Sequence, residues 1–200
     1  MPARLRLVVL TLSACAATAV LALSLAGQRG SDVRASPEPA AFQGSRRPPA
    51  VPPVPFDLRD QDGRRVSSAA LRGRPVVLAF LYSSCEDTCP LQAQAVRGAL
   101  DRLEADVDAF AISVDPAGDT PARARRFLLR QRLTGRMRFL LGSRSELAPV
   151  WRGFGIRPRR GELEHSAYTV LLDRAGVQRL GFPGGGEAGA IAADLRRLGA

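Results

Sequence analysis

The chain contains no lysine, a single histidine and few aromatic residues. All 29 of its basic residues are arginines, aromatics make up 6% of the sequence, and the formal net charge is +10. A nucleic-acid-binding surface interleaves basic and aromatic side chains, so the shortage of aromatics argues against nucleic acid as a partner. The positive charge instead favours an acidic protein or an anionic membrane surface.

Charged residues are also absent from a long stretch near the N-terminus. Residues 7–27, LVVLTLSACAATAVLALSLAG, carry no charge, and about 20 apolar residues suffice to cross a bilayer as a helix. We interpret residues 1–27 as a membrane anchor or a cleaved signal peptide, since Ser24 and Ala26 supply small residues at cleavage-site spacing. A lipoprotein is the third alternative, because LSAC at residues 12–15 is similar to a lipobox. All three place the protein on the periplasmic or another extracytoplasmic side.

Proline is the commonest residue in the next segment, and the folded domain is expected only after it. Residues 28–55 are rich in Pro, Gly, Ser and Arg, a composition typical of a semi-stiff extended linker. Residues 56–200 then form the predicted domain. Because Cys15 lies in the exported segment, the domain retains one cysteine pair, Cys85 and Cys89, in a compartment where disulfides persist.

The domain alternates strand and helix signals. FDLRDQDGRRVS predicts a hairpin around Asp62-Gly63, and PVVLAFLY, residues 75–82, predicts a strand buried on both faces. A helix from Pro90 is expected to have Cys89 as its N-cap. A second buried strand is followed by another helix pattern, which Asp119 or Thr120 can cap and Pro121 can open. Further strand and helix patterns follow, ending in two strands joined at residues 174–176 and a final amphipathic helix. This order predicts a mixed α/β fold of thioredoxin type, with a central sheet flanked by helices and an N-terminal hairpin extension.

The two cysteines occupy the loop between the buried strand and the helix, where α/β folds place their chemistry. Their spacing, SSCEDTCP, allows a redox pair, a metal clamp or a structural disulfide. A helix N-terminus favours the thiolate form, so at least one sulfur should be reactive. Two thiolates suit Cu(I), which is soft and accepts low coordination. A disulfide across three residues would constrain the unfolded chain little, so stability is a weak reason for the pair.

The single histidine, His165, immediately precedes the strand expected to border the cysteine loop. Its imidazole would complete a three-ligand site with Cys85 and Cys89 that also accepts Cu(II). A surface or hydrogen-bonding role is the alternative.

Four segments carry a resemblance to a known family: FDLRDQDGRRVSSAALRGRPVVLAFLYSSCEDTCPL, AISVDPAGDTPARARRF, FGI and EHSAYTVLLDRAG. With them the chain resembles the Sco/SenC family of membrane-tethered copper proteins of thioredoxin fold. The resemblance implies that Cys85, Cys89 and His165 bind copper, Cu(I) or Cu(II). One departure is Glu86, where family members commonly carry proline.

The resemblance further implies a role in assembling the copper centre of cytochrome c oxidase, by delivering copper or by reducing the acceptor's cysteines. The implied partners are a copper-accepting protein such as a cytochrome c oxidase subunit, and a thiol-disulfide reductase. We therefore expect a metallochaperone rather than an enzyme. The alternatives are a thiol-disulfide oxidoreductase with Cys85 and Cys89 as the redox-active pair, a peroxidase of the peroxiredoxin class, and a binding module with a structural disulfide.

Overall fold

Strands and helices alternate through the part of the chain that the structure, a computed structural model, describes: residues 41–48, 52–105, 107–158 and 167–200. The predicted anchor at residues 1–27, Cys15 and His165 lie outside these ranges. The strands are β1 (Ser45–Arg46), β2 (Asp57–Asp60), β3 (Arg65–Ser67), β4 (Val76–Leu81), β5 (Asp108–Ser113), β6 (Arg138–Leu141), β7 (Tyr168–Leu172) and β8 (Gln178–Pro183). The α-helices are α1 (Thr88–Leu100), α2 (Pro121–Arg130), α3 (Arg144–Phe154) and α4 (Ala188–Arg197).

These strands form one mixed sheet in the order β1-β8-β7-β4-β5-β6-β2-β3. Strand β4 pairs parallel with β5 and antiparallel with β7, and all six of its residues are buried. The unbroken apolar run of β4 therefore reflects packing on both faces. The predicted mixed α/β fold of thioredoxin type is confirmed.

The predicted hairpin is present at the far edge of the sheet, where β2 pairs antiparallel with β3 and also with β6. Its turn is stabilised by Asp60, whose Oδ1 accepts the backbone N–H groups of Asp62 and Arg64 at 2.9 Å each. Gly63 in the turn has φ of 78°, a left-handed conformation that glycine adopts without steric cost. A short 3₁₀ helix, Ser68–Leu71, follows β3.

Side-chain caps define the start of two helices, and the sequence predicts the first of them. Thr120 Oγ1 accepts the Arg123 N–H at 3.2 Å, and Pro121 opens α2. At α3, Ser143 and Glu146 form a reciprocal capping box. Helix α3 ends at Gly155, which has φ of 70°.

Helix α1 differs from the prediction at its first turn. It begins at Thr88 with Asp87 as N-cap, so Cys89 lies inside the helix rather than at its N-cap. No side-chain oxygen caps this end. Two features reduce the need for a side-chain cap. Pro90 has no N–H group that requires an acceptor, and the sulfur of Cys85 accepts the N–H of Cys89 at 3.3 Å.

The folded unit begins at Phe42, within the segment whose composition predicts a linker. Strand β1 pairs antiparallel with β8. Buried Asp194 of α4 accepts the N–H of Gln43 at 3.0 Å and of Gly44 at 2.8 Å. A strand held through its backbone needs no apolar run, so composition alone did not reveal it.

Among the described residues, no helix combines the length and the apolar character needed to cross a membrane.

Candidate metal and redox site

The cysteine loop follows the carboxyl end of β4. After Leu81 the chain turns, with the Cys85 N–H donating to the Tyr82 carbonyl at 3.3 Å. It then enters α1 at Thr88. The loop therefore joins a central buried strand to a helix N-terminus, as the sequence predicts. At that N-terminus the dipole of α1 favours negative charge.

The two cysteines lie together at the first turn of α1. Both are free thiols. The Cys89 N–H donates to Cys85 Sγ at 3.3 Å, and Thr88 Oγ1 lies 3.8 Å from the same sulfur. Cys85 is 5% exposed and Cys89 is fully buried. Cys85 is therefore the more accessible of the two cysteines.

The surroundings separate the pKa values of the two thiols. Burial raises the pKa of Cys85, but hydrogen bonds from the Cys89 thiol, from backbone N–H groups and from Thr88 outweigh burial, and the net pKa is lowered. Burial raises the pKa of Cys89, and its hydrogen bond to Cys85 raises that pKa further. Cys85 is thus the sulfur that ionises first, with Cys89 as its thiol donor.

A buried carboxylate supports the loop from behind. One oxygen of Asp119 accepts the Ser83 N–H at 2.7 Å and the Ser83 hydroxyl at 2.6 Å, and the other accepts the Ser113 hydroxyl at 2.5 Å. Burial raises the pKa of Asp119, while the serine hydrogen bonds lower it; the net direction is up. Asp119 therefore links the segment leading to Cys85 with the end of β5.

In the sequence Asp119 is a candidate cap for α2, but the structure gives that role to Thr120. Its position in the sequence could have indicated the supporting role, since Asp119 follows β5 at the carboxyl edge of the sheet, beside the cysteine loop. The single tryptophan, Trp151, packs in the core and donates its Nε1–H to the Ser113 carbonyl at 2.9 Å.

Strand β7 borders the cysteine loop, as the sequence predicts. Tyr168 at its start is the register partner of Phe80 in β4. Gln92 of α1 donates to the Tyr168 carbonyl at 2.9 Å and to Thr169 Oγ1 at 3.1 Å, which fixes the start of β7 against the first turns of α1. His165 itself is outside the described residues. The described ranges alone contain no group of three or more His, Cys, Asp or Glu residues able to hold a metal ion.

The fold and the cysteine loop both lie within a match to one protein family. The family model SCO1/SenC matches residues 45–200. The chain belongs to the SCO1/SenC family. This match covers the sheet, all four described helices and the cysteine loop.

Solved structures of SCO1/SenC proteins share the fold. Copper-bound ScoI of Bradyrhizobium japonicum is 30% identical with a TM-score of 0.60, and the match covers 73% of this chain and 98% of that one. BsSco, described as a member of the Sco family of cytochrome c oxidase assembly proteins with a disulfide switch, is 25% identical. Its TM-score is 0.64, and the match covers 76% of this chain and 96% of that one.

Curated relatives match over part of their length. The mitochondrial SCO1 homolog 1 of Arabidopsis thaliana is 32% identical over 122 residues, which is 58% of this chain and 35% of that protein. Chloroplastic peroxiredoxin Q of Suaeda salsa also matches, at 32% identity over 136 residues, which is 66% of this chain and 57% of that protein. The chain thus spans about a third to just over half of these two relatives.

Proposed function

We propose that this SCO1/SenC protein binds copper through Cys85, Cys89 and His165 and serves the assembly of the copper centre of cytochrome c oxidase. It would act from the membrane, exported and tethered by residues 1–27. Copper is the cargo in this proposal, passed to an acceptor protein by exchange of its thiolate ligands.

One observation carries the proposal: two free cysteines lie side by side at a helix N-terminus, where the sulfur of Cys85 accepts the backbone N–H of Cys89. The pKa of Cys85 is lowered there, which favours its thiolate, and Cys89 would lose its proton on binding a metal cation. Two soft thiolates match the preference of Cu(I). The copper-bound structure of the B. japonicum relative supports the same choice of metal.

His165 supplies the third ligand in this proposal. Strand β7 lies directly beside β4 and the first turns of α1, and His165 precedes β7 by three residues in the sequence. A neutral imidazole added to two thiolates extends the site from Cu(I) to Cu(II).

The redox state of the Cys85–Cys89 pair would control whether the protein holds copper. Forming the Cys85–Cys89 disulfide from a thiolate and a thiol removes two electrons and one proton, and it leaves neither sulfur as a thiolate ligand. An acceptor disulfide can take these electrons by exchange. Oxidation would then release the cargo, and reduction by a thiol-disulfide reductase would restore the site.

The test is copper binding by the reduced protein. One equivalent of Cu(II) is added to the wild type, to His165→Ala and to the double variant Cys85→Ser/Cys89→Ser, and bound copper and the thiolate-to-copper absorption band are measured. The matched control is Cys15→Ser, the third cysteine, which should bind like the wild type. Loss of the band in the two site variants is expected. An unchanged band in the double cysteine variant would refute the proposal.

A second function, thiol-disulfide oxidoreductase, is favoured by the separated pKa values of the two cysteines. The thiolate of Cys85 would attack a partner disulfide and form a mixed disulfide. Cys89 would then attack the Cys85 sulfur, releasing the partner as two thiols and closing the Cys85–Cys89 disulfide. This function predicts that His165→Ala keeps full exchange activity, and that added Cu(II) is reduced and released while the disulfide forms.

A peroxidase function makes a separate prediction. The reduced protein would consume hydrogen peroxide with an attacking cysteine, as expected for the peroxiredoxin class. Peroxide consumption by the wild type that is lost in Cys85→Ser would support it, whereas no consumption would exclude it.

A further inference from the structure

One continuous part of the chain concentrates positive charge without acidic residues. Residues 120–145 contain eight arginines and no aspartate or glutamate. They form α2, the turn after it, β6 and the first residues of α3. Ion pairs with acidic residues elsewhere in the described chain engage three of the eight: Arg125 with Asp62, Arg136 with Asp101, and Arg138 with Asp60.

Helix α2 presents most of the remaining charge to solvent. Its inner face is buried through Ala124, Phe127 and Leu128. Its outer face carries Arg126, which has no ion-pair partner among the described residues, and Leu129, which is 68% exposed. Residues three and four apart share one face of a helix, so Leu129 lies one turn beyond Arg125 and Arg126.

The charge continues on both sides of Leu129. Arg132 follows the helix with φ of 55°, the left-handed conformation that glycine usually takes at this position. On the other side, a cleft of about 380 Å³ is lined by Leu129, by Arg125 with its ion-pair partner Asp62, and by Arg64 of the hairpin. Arg64 is exposed and likewise has no ion-pair partner within the described ranges. We call this surface, formed by Arg64, Arg125, Arg126, Leu129 and Arg132, the arginine face.

We infer that the arginine face docks on an anionic lipid bilayer, with Leu129 entering the headgroup region. An exposed apolar side chain surrounded by arginines matches the chemistry of an anionic interface, where basic side chains reach lipid phosphates and an apolar one enters the acyl boundary. The same chain carries the uncharged segment at residues 7–27, which predicts that the protein works at a membrane.

This inference goes beyond copper binding and does not depend on it. Docking would orient the domain on the membrane. An acidic protein is the competing occupant, and the experiment separates the two.

The experiment uses the full chain reconstituted into vesicles, with Leu129→Trp as the probe. Vesicles of phosphatidylcholine alone are compared with mixtures containing phosphatidylglycerol, each with brominated phosphatidylcholine as a quencher in the acyl region. The native Trp151 is 3% exposed and serves as the wild-type background. The matched control is Leu91→Trp, because Leu91 is the other large exposed apolar residue of the described chain, at 65%, and lies on α1.

Docking predicts that Leu129→Trp emission shifts to shorter wavelength and is quenched in the anionic vesicles only, while Leu91→Trp is not quenched. When either Arg64→Gln or Arg126→Gln is combined with Leu129→Trp, the ratio of docked to undocked protein should fall about fivefold. Salt at about 1 M, where charges are screened within about 3 Å, should abolish the difference between vesicle types.

Any one of four results would overturn the inference. Quenching of Leu129→Trp is absent from anionic vesicles, or it is the same for Leu91→Trp, or it persists after both arginines are replaced. A shift of Leu129→Trp emission by soluble polyglutamate, with none in anionic vesicles, would also overturn it and indicate an acidic protein as the occupant.

Discussion

Removing the Asp119 carboxylate should destabilise the protein by several kilocalories per mole. Asp119→Ala leaves the buried Ser83 N–H without its acceptor and removes the bonds of two serine hydroxyls. A buried N–H without a partner costs about 1–3 kcal/mol, and each hydroxyl bond contributes about 1 kcal/mol. The expected loss in unfolding free energy is therefore about 4 kcal/mol.

Asp119→Asn should cost much less, about 1 kcal/mol. The amide oxygen still accepts both bonds from Ser83, and the amide nitrogen can donate to the Ser113 hydroxyl after that hydroxyl rotates. Because the pKa of Asp119 is raised in the folded protein, the wild type should also gain stability relative to Asp119→Asn as the pH falls towards 3.8. That gain is lost as the pH rises through the folded-state pKa.

The assay is urea unfolding of the reduced domain from Phe42 onward, followed by circular dichroism. The free energy of unfolding falls by about 2 kcal/mol per molar urea. Asp119→Ala should therefore lower the urea midpoint by about 2 M without changing this slope. Asp115→Ala is the matched control, since Asp115 is only partly buried and accepts the Gly118 N–H at 3.1 Å. A loss under 1 kcal/mol for Asp119→Ala, or equal losses for the alanine and asparagine variants, would refute this account of the carboxylate.

Two further predictions concern the cysteines and the N-terminal strand. In iodoacetamide alkylation, Cys85 in the variant Cys89→Ser should react with a midpoint below pH 9.0, and Cys89 in Cys85→Ser with a midpoint above it; the reverse order would contradict the assigned roles. Asp194→Ala should cost about 2–4 kcal/mol, because two backbone N–H groups lose their acceptor. It should also accelerate tryptic cleavage after Arg46, and unchanged cleavage would show that strand pairing alone holds β1.

The sequence predicted the central fold because burial on both faces leaves a strong pattern. A strand such as β4 must be apolar throughout, and its direct continuation into the cysteine loop follows from chain order. The hairpin at Asp62-Gly63 and the cap at Thr120 were predictable because each depends on residues close together in sequence. All three depend on local chemistry, and the structure confirms them.

Interactions between distant segments were not predictable in this way. Strand β1 is held by backbone bonds to β8 and to Asp194, which is about 150 residues away. The start of α1 shifted because a sulfur four residues before Cys89 accepts its N–H, a bond that no standard capping pattern indicates. The use of Asp119 as a support needed the two serines to be placed in space. The role of His165 remains a prediction.

The position of Trp151 gives the protein an internal optical reporter. Its indole N–H donates to the Ser113 carbonyl, the Ser113 hydroxyl donates to Asp119, and Asp119 accepts from Ser83, two residues before Cys85. This is the only tryptophan in the chain. Any event at the cysteine pair that moves Ser83 therefore reaches the sole indole through three consecutive hydrogen bonds. The intrinsic emission of the unlabelled protein should follow oxidation or ligand uptake at the cysteines in real time.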